Sequence, residues 1–123
     1  MKGLDDRALQ DVAAYFRALA VPMRLKILNA LREGERNVTE LTEEFGCSQA
    51  NVSKHLSVLA HSGLIEKVPR GTSAYYRITD PKTYQLCDLV CGQIGRRYAR
   101  QAERQKAFLS MGQPRGKVLK ATG

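Results

Sequence analysis

Two groups of residues in this chain have types and spacings that could do chemistry. The first is the run Ser48-Gln49-Ala50-Asn51-Val52-Ser53-Lys54-His55-Leu56-Ser57. On a helix, Gln49, Ala50, Ser53, Lys54 and Ser57 share one side, because three- and four-residue steps lie on one face. Val52, Leu56 and Leu59 take the other side, where they bury. The outward side is short, polar and free of acids. A helix of that kind fits the major groove of DNA, and short polar side chains let it approach the base edges. Glutamine can bond adenine twice, serine can donate or accept, and the Ala50 methyl can meet a thymine methyl. Lys54 would meet a phosphate and fix register. The second group is Cys87 and Cys91. One helical turn apart, their sulfurs share a face and can bind one ion jointly, and soft thiolates select soft metals and metalloids.

The cysteine pair admits three readings from sequence. It is a thiophilic metal(loid) sensor, with As(III) the model effector. It is a thiol switch that answers oxidants or sulfide. Or it is apolar filler, since free cysteine behaves as a small hydrophobe. Two sulfurs leave a metal site incomplete, so further ligands come from Cys47, a partner chain or solvent. A disulfide between positions four apart in one regular helix is geometrically awkward. His55 lies beside the buried edge of its helix and reads as a structural residue; His61 reads as exposed.

Enzymatic classes find no support. The motif is Cys-x-x-x-Cys, not Cys-x-x-Cys, and it has no βαβ context. No nucleophile–base pair and no glycine-rich phosphate loop after a strand is present. No cofactor is required by any of these readings.

The elements that position these residues follow from periodicity. Leu9, Val12, Ala13, Phe16, Leu19 and Ala20 predict a helix from Asp6 to Ala20. Pro22 opens a second helix carrying Leu25, Ile27, Leu28 and Leu31, with Gly34 as its stop. Val38–Phe45 predicts a third, capped through Thr39 with Thr42 or Glu43 and ended by Gly46. The fourth starts at Ser48 and closes at Gly63. Only Gly46-Cys47-Ser48 separates the third and fourth helices, the tight connection of a helix-turn-helix. Leu64–Val68 and Ser73–Thr79 are β-prone runs around the turn signal Pro69-Arg70-Gly71, which predicts a hairpin. Asp80-Pro81 then introduces a long last helix to about Phe108. The predicted class is mainly α with a β-hairpin wing, a winged helix-turn-helix in the order ααααββα. On the wing, Arg70 and Thr72 would join Lys54 at the phosphates.

In the last helix, Cys87, Cys91, Ile94 and Tyr98 recur at steps of four, three and four, a heptad-like seam. The first helix is rich in apolar residues for one that caps a small domain. A helix with apolar residues this widely distributed needs more than one packing surface.

The chain has 123 residues, one domain by length, and a formal net charge of +8. Residues 1–46 are net −1, 47–82 net +3 and 96–123 net +7. Segregated positive charge suits a polyanion partner. The expected organisation is a DNA-binding and dimerisation domain over 1–111 and a basic, flexible tail over 112–123. The basic segment from Arg96 to Lys120 either extends a DNA footprint or is solvated. No run is long and apolar enough to span a membrane, and the N-terminus has no secretory core. The expected location is the cytoplasm, where three cysteines stay as thiols.

Four stretches together resemble the ArsR/SmtB family of small dimeric bacterial repressors. They are Ala18–Leu28, Ser48–Leu59, Gly63-Leu64-Ile65 and the wing Arg70–Ile78. The resemblance covers roughly residues 8–100. It implies a winged-helix repressor whose first and last helices form a homodimer. Two heads then read an inverted-repeat operator in double-stranded DNA, half-sites about one helical turn apart. It places DNA contacts on the helix positions named above and on the wing tip. The chain departs from the family in its effector sites. Val38–Phe45 lacks the Cys-x-Cys cluster of arsenic and cadmium/lead sensors. The last helix has Asp80 but offers Lys82, Gln93 and Arg96 where zinc sensors carry ligands. The cysteine pair is then the effector site the sequence offers. A winged helix used only to bind proteins is the competing class; such modules often carry acids on the exposed helix face, and here that face has Lys54 and none.

Overall fold

Asp5 opens the first helix, α1 (Asp6–Leu19), its side chain accepting from the Ala8 amide at 2.9 Å. Pro22 starts α2 (Pro22–Leu31), where a missing N–H leaves nothing unsatisfied. Arg24 ties the two helices together. Its Nε donates to the Ala18 carbonyl at 2.7 Å and its Nη2 to the Arg17 carbonyl at 3.2 Å. Both carbonyls lie at the C-terminal end of α1, where the helical ladder runs out; the Arg17 carbonyl also accepts from the Ala20 amide at 3.1 Å.

The computed structural model describes residues 1–111, in two compact units: Met1–Pro81 and the chain from Lys82 onward. The first unit continues with a two-residue strand, β1 (Arg36–Asn37), then α3 (Val38–Phe45) and α4 (Gln49–His61). The hairpin follows as β2 (Ile65–Arg70) and β3 (Ser73–Ile78). The strands form an antiparallel sheet in the order β1-β3-β2, with Asn37 opposite Tyr75 and Val68 opposite Tyr75 on the other side. The core lies between α2, α3, α4 and the base of the hairpin: Ile27, Leu28, Leu41, Val52, Leu56, Leu59, Leu64 and Ile65. Each such side chain contributes about 1.5–3 kcal/mol on burial.

Three local expectations change. β1 was absent from the predicted order; two residues are too short to show alternation, and they become a strand only because the free edge of β3 accepts them. The cap of α3 is Asn37, not Thr39: Asn37 accepts from the Glu40 amide at 2.8 Å, and Glu40 accepts from the Asn37 amide at 2.9 Å. That reciprocal box satisfies two amides at once. The hairpin turn is Gly71-Thr72, not Pro69-Arg70-Gly71, because Pro69 and Arg70 belong to β2. β2 is an edge strand, where a proline is tolerated. Gly71 has φ 62° while Thr72 does not turn positive, the type II′ pattern that matches hairpin twist.

The second unit is one helix, α5 (Lys82–Met111), of 30 residues. At 1.5 Å per residue it is about 45 Å long. Among its described residues only Thr83 is buried. The expected tail, 112–123, lies outside the described residues. No described helix is long and apolar enough to cross a membrane.

Candidate nucleic-acid interface and cysteine pair

The helix-turn-helix is built by two complementary ends. Gly46 takes a left-handed φ of 65°, and its amide bonds the Thr42 carbonyl at 2.9 Å to finish α3. Two residues later Ser48 caps α4, its Oγ accepting from the Asn51 amide at 3.1 Å. Ser48 thus has a structural task, and its hydroxyl hydrogen remains available to a partner.

α4 presents the two-sided character its sequence implies. Val52, Leu56 and Leu59 are fully buried. Gln49, Ala50, Ser53, Lys54 and Ser57 are all exposed. Ser57 ends that row and also borders a groove of about 660 Å³ shared with Ala14, Ala18, Val58 and His61. His61 is exposed, and His55 is half-buried with its Nδ1 3.5 Å from Arg24 Nη1. Burial, reinforced by the positive charges of Arg24 and Lys54, holds the His55 pKa below its ordinary 6.5. The imidazole is therefore a neutral part of the joint between α2 and α4.

The wing carries a charge arrangement that sequence reasoning missed. Arg70 is exposed, but its Nη2 is bonded to Glu35 Oε1 and its guanidinium lies over the Tyr75 ring at 5.7 Å. Arg77 is bonded to Glu66 through Nε at 2.6 Å and lies 3.7 Å from Glu35 Oε2. Lys67 sits over the Tyr76 ring at 6.0 Å. Thr72 is exposed at the hairpin tip. Glu35 is far from the wing in sequence, so no local motif announces it. Asn37 and Glu40 did carry a signal, the Asn-x-x-Glu spacing of a capping box.

The cysteines lie elsewhere. Cys47 is half-buried in the turn before α4; Cys87 is half-buried and Cys91 exposed, one turn apart on α5. Among the described residues no group of three or more His, Cys, Asp or Glu is placed to hold a metal ion. Cys87 and Cys91 are therefore two sulfur groups without a third ligand of these types beside them among the described residues, and a soft ion there would have low coordination number or take ligands from elsewhere.

Apolar side chains stand exposed on both terminal helices. They are Leu9 and Phe16 on α1, and Leu89, Val90, Ile94 and Tyr98 on α5.

A head of this geometry has close relatives. Residues 22–67 match the family described as bacterial regulatory protein, arsR family. The chain is 42% identical over 85 residues to the HTH-type transcriptional regulator NmtR of Mycobacterium tuberculosis, spanning 69% of this chain and 71% of that one. The chain belongs to the arsR family. As a member it is a DNA-binding transcriptional regulator and not an enzyme. A second arsR-type relative is the "Probable mercury resistance operon repressor" of Streptomyces lividans, 42% identical over 78 residues, with 63% of this chain and 62% of that one covered. Among solved structures, a homodimeric winged helix-turn-helix DNA-binding domain from Mycobacterium bovis aligns with a TM-score of 0.70 at 34% identity. That alignment covers 81% of this chain and 95% of the other.

Proposed function

We propose that this arsR-family protein is a homodimeric, operator-specific repressor, released from DNA by a thiophilic metal(loid) at Cys87 and Cys91. The observation that carries the DNA reading is α4 itself. It has a capped start, a fully buried apolar side, and an exposed polar side of Gln49, Ala50, Ser53, Lys54 and Ser57 without an acid. Gln49, Ala50, Ser53 and Ser57 read base edges; Lys54, Arg70 and Thr72 hold phosphates, with Ser48 at the helix start. Dimerisation through α1 and α5 covers the exposed Phe16, Ile94 and Tyr98. The homodimeric state of the M. bovis domain supports a homodimer. Two heads then meet an inverted repeat, and the protein works in the cytoplasm with its DNA.

Cys87 and Cys91 supply the soft ligands, and a relative named for mercury resistance supports an effector of that class. The effector acts as a switch only if its affinity differs between free and DNA-bound protein. The test is fluorescence anisotropy on the duplex upstream of the protein's own gene, reduced and at fixed salt, with and without arsenite. Arsenite should weaken wild-type binding and leave the Cys87→Ser/Cys91→Ser variant bound. Loss of DNA binding on peroxide or sulfide, with no response to arsenite, would move the pair to the redox reading. Binding that persists in both cases would make the cysteines packing residues. Equal affinity for all duplexes would point to the protein-interaction class.

A further inference from the structure

The wing's cation is already occupied. Arg70 stands at the end of β2, beside the tip, 56% exposed by its side chain, and Glu35 holds it from the loop before β1. Glu35 is the most withdrawn member of the network at 23% exposed, and Arg70 the one most open to an incoming group. Arg77, the other cation near Glu35, has a separate anchor directly across the ladder in Glu66. Tyr75 supports the Arg70 guanidinium from below. Of the five N–H donors a guanidinium carries, only one is bonded to Glu35.

A carboxylate and a DNA phosphate monoanion offer the same thing to a guanidinium: charge and paired acceptor oxygens. They compete for it. An exposed ion pair and a single phosphate contact are of similar, modest strength, so a phosphate held against the wing can replace the carboxylate, whereas one met in passing does not.

We propose that Glu35 is an internal phosphate mimic that makes wing engagement conditional: Arg70 transfers from Glu35 to the DNA backbone only where α4 seats on its operator. This rests on the DNA-reading proposal above. On other DNA the wing stays latched and Arg70 releases no counterion. At the operator, the seating of α4 holds the wing against the backbone and the exchange occurs.

The signature is in the salt dependence. Each phosphate neutralised on duplex DNA adds about 0.9 to the slope of log affinity against log salt, so one added contact is worth about eightfold at 0.1 M relative to 1 M salt. Glu35→Gln keeps the shape and removes the charge. On random-sequence duplex it should steepen the slope by about 0.9 and raise affinity about eightfold at 0.1 M salt. On an operator selected from a random pool, the variant should bind more tightly with an unchanged slope, since Arg70 is already on phosphate there. In an Arg70→Gln background, Glu35→Gln should leave the random-duplex slope where it was, a double-mutant cycle that isolates the pair. Thermal melts confirm that each variant is folded.

An unchanged or weaker affinity of Glu35→Gln for random duplex overturns the proposal, with Glu35 then only a support for the hairpin. A slope that steepens equally on both duplexes also overturns it, because Arg70 would be off the DNA at the operator too. Wild-type protein with no operator preference sinks the DNA-reading proposal instead, and this one with it.

Discussion

Gln49 and Lys54 give the sharpest test of how α4 divides its labour. Gln49 stands exposed in the first turn, and no hydrogen bond ties its side chain to the rest of the described residues. Gln49→Ala therefore removes nothing the fold uses, and alanine is a slightly better helix former. Any loss must come from DNA. A bidentate contact to adenine is worth about 1–3 kcal/mol of discrimination, roughly 5- to 150-fold, at the operator alone. Lys54 is also exposed, five residues further along α4 and one turn beyond Ala50. Its ammonium is a point charge for phosphate, so Lys54→Ala should cost random and operator duplexes alike, about eightfold at 0.1 M salt, with the slope reduced by about 0.9. Fluorescence anisotropy on both duplexes across a salt series separates the two patterns. Gln49→Ala weakening random DNA as much as the operator would refute base reading by this helix face. An unchanged slope in Lys54→Ala would remove that residue from the phosphates.

Other consequences follow from the core and the exposed seams. Leu56 is fully buried beneath the reading face, so Leu56→Ala should cost about 2–5 kcal/mol and lower the Tm by at least about 10 °C in a calorimetric scan. His55 is held below 6.5 in the fold, so the unfolded chain binds the proton more readily. Its contribution is thus fully present above 6.5 and declines as pH falls below it; His55→Gln should flatten the fall of Tm with pH below 6.5. Ile94 is 42% exposed on the α5 seam, and Ile94→Glu should shift sedimentation from dimer toward monomer at micromolar concentration. A dimer that survives the charge would place the interface elsewhere.

Much of this molecule was legible along the chain because its signals are local. Gly46, Ser48 and the spacing of Val52, Leu56 and Leu59 are read within a few residues of one another, and the helix-turn-helix appears where they put it. Polar residues that flank a buried stripe must face outward, so Gln49, Ala50, Ser53, Lys54 and Ser57 could be named from periodicity alone. The one-turn separation of Cys87 and Cys91 is likewise a property of helical pitch. The cap of α3 was also local, but Thr39 obscured the stronger Asn37–Glu40 pair.

What the linear chain could not supply are relations between distant segments. β1 exists because the edge of β3 offers it hydrogen bonds, a partner more than 35 residues away. Arg24 joins α1, α2 and His55 through a guanidinium whose targets no spacing rule connects. Counted along the sequence, Arg70 is a free cation on a net-positive wing. Folding brings Glu35 across from another loop and pairs it. Pitch and capping act over one turn of helix and are therefore written in consecutive residues. Charge pairing and strand pairing act through space, and only the tertiary structure decides which side chains come within reach.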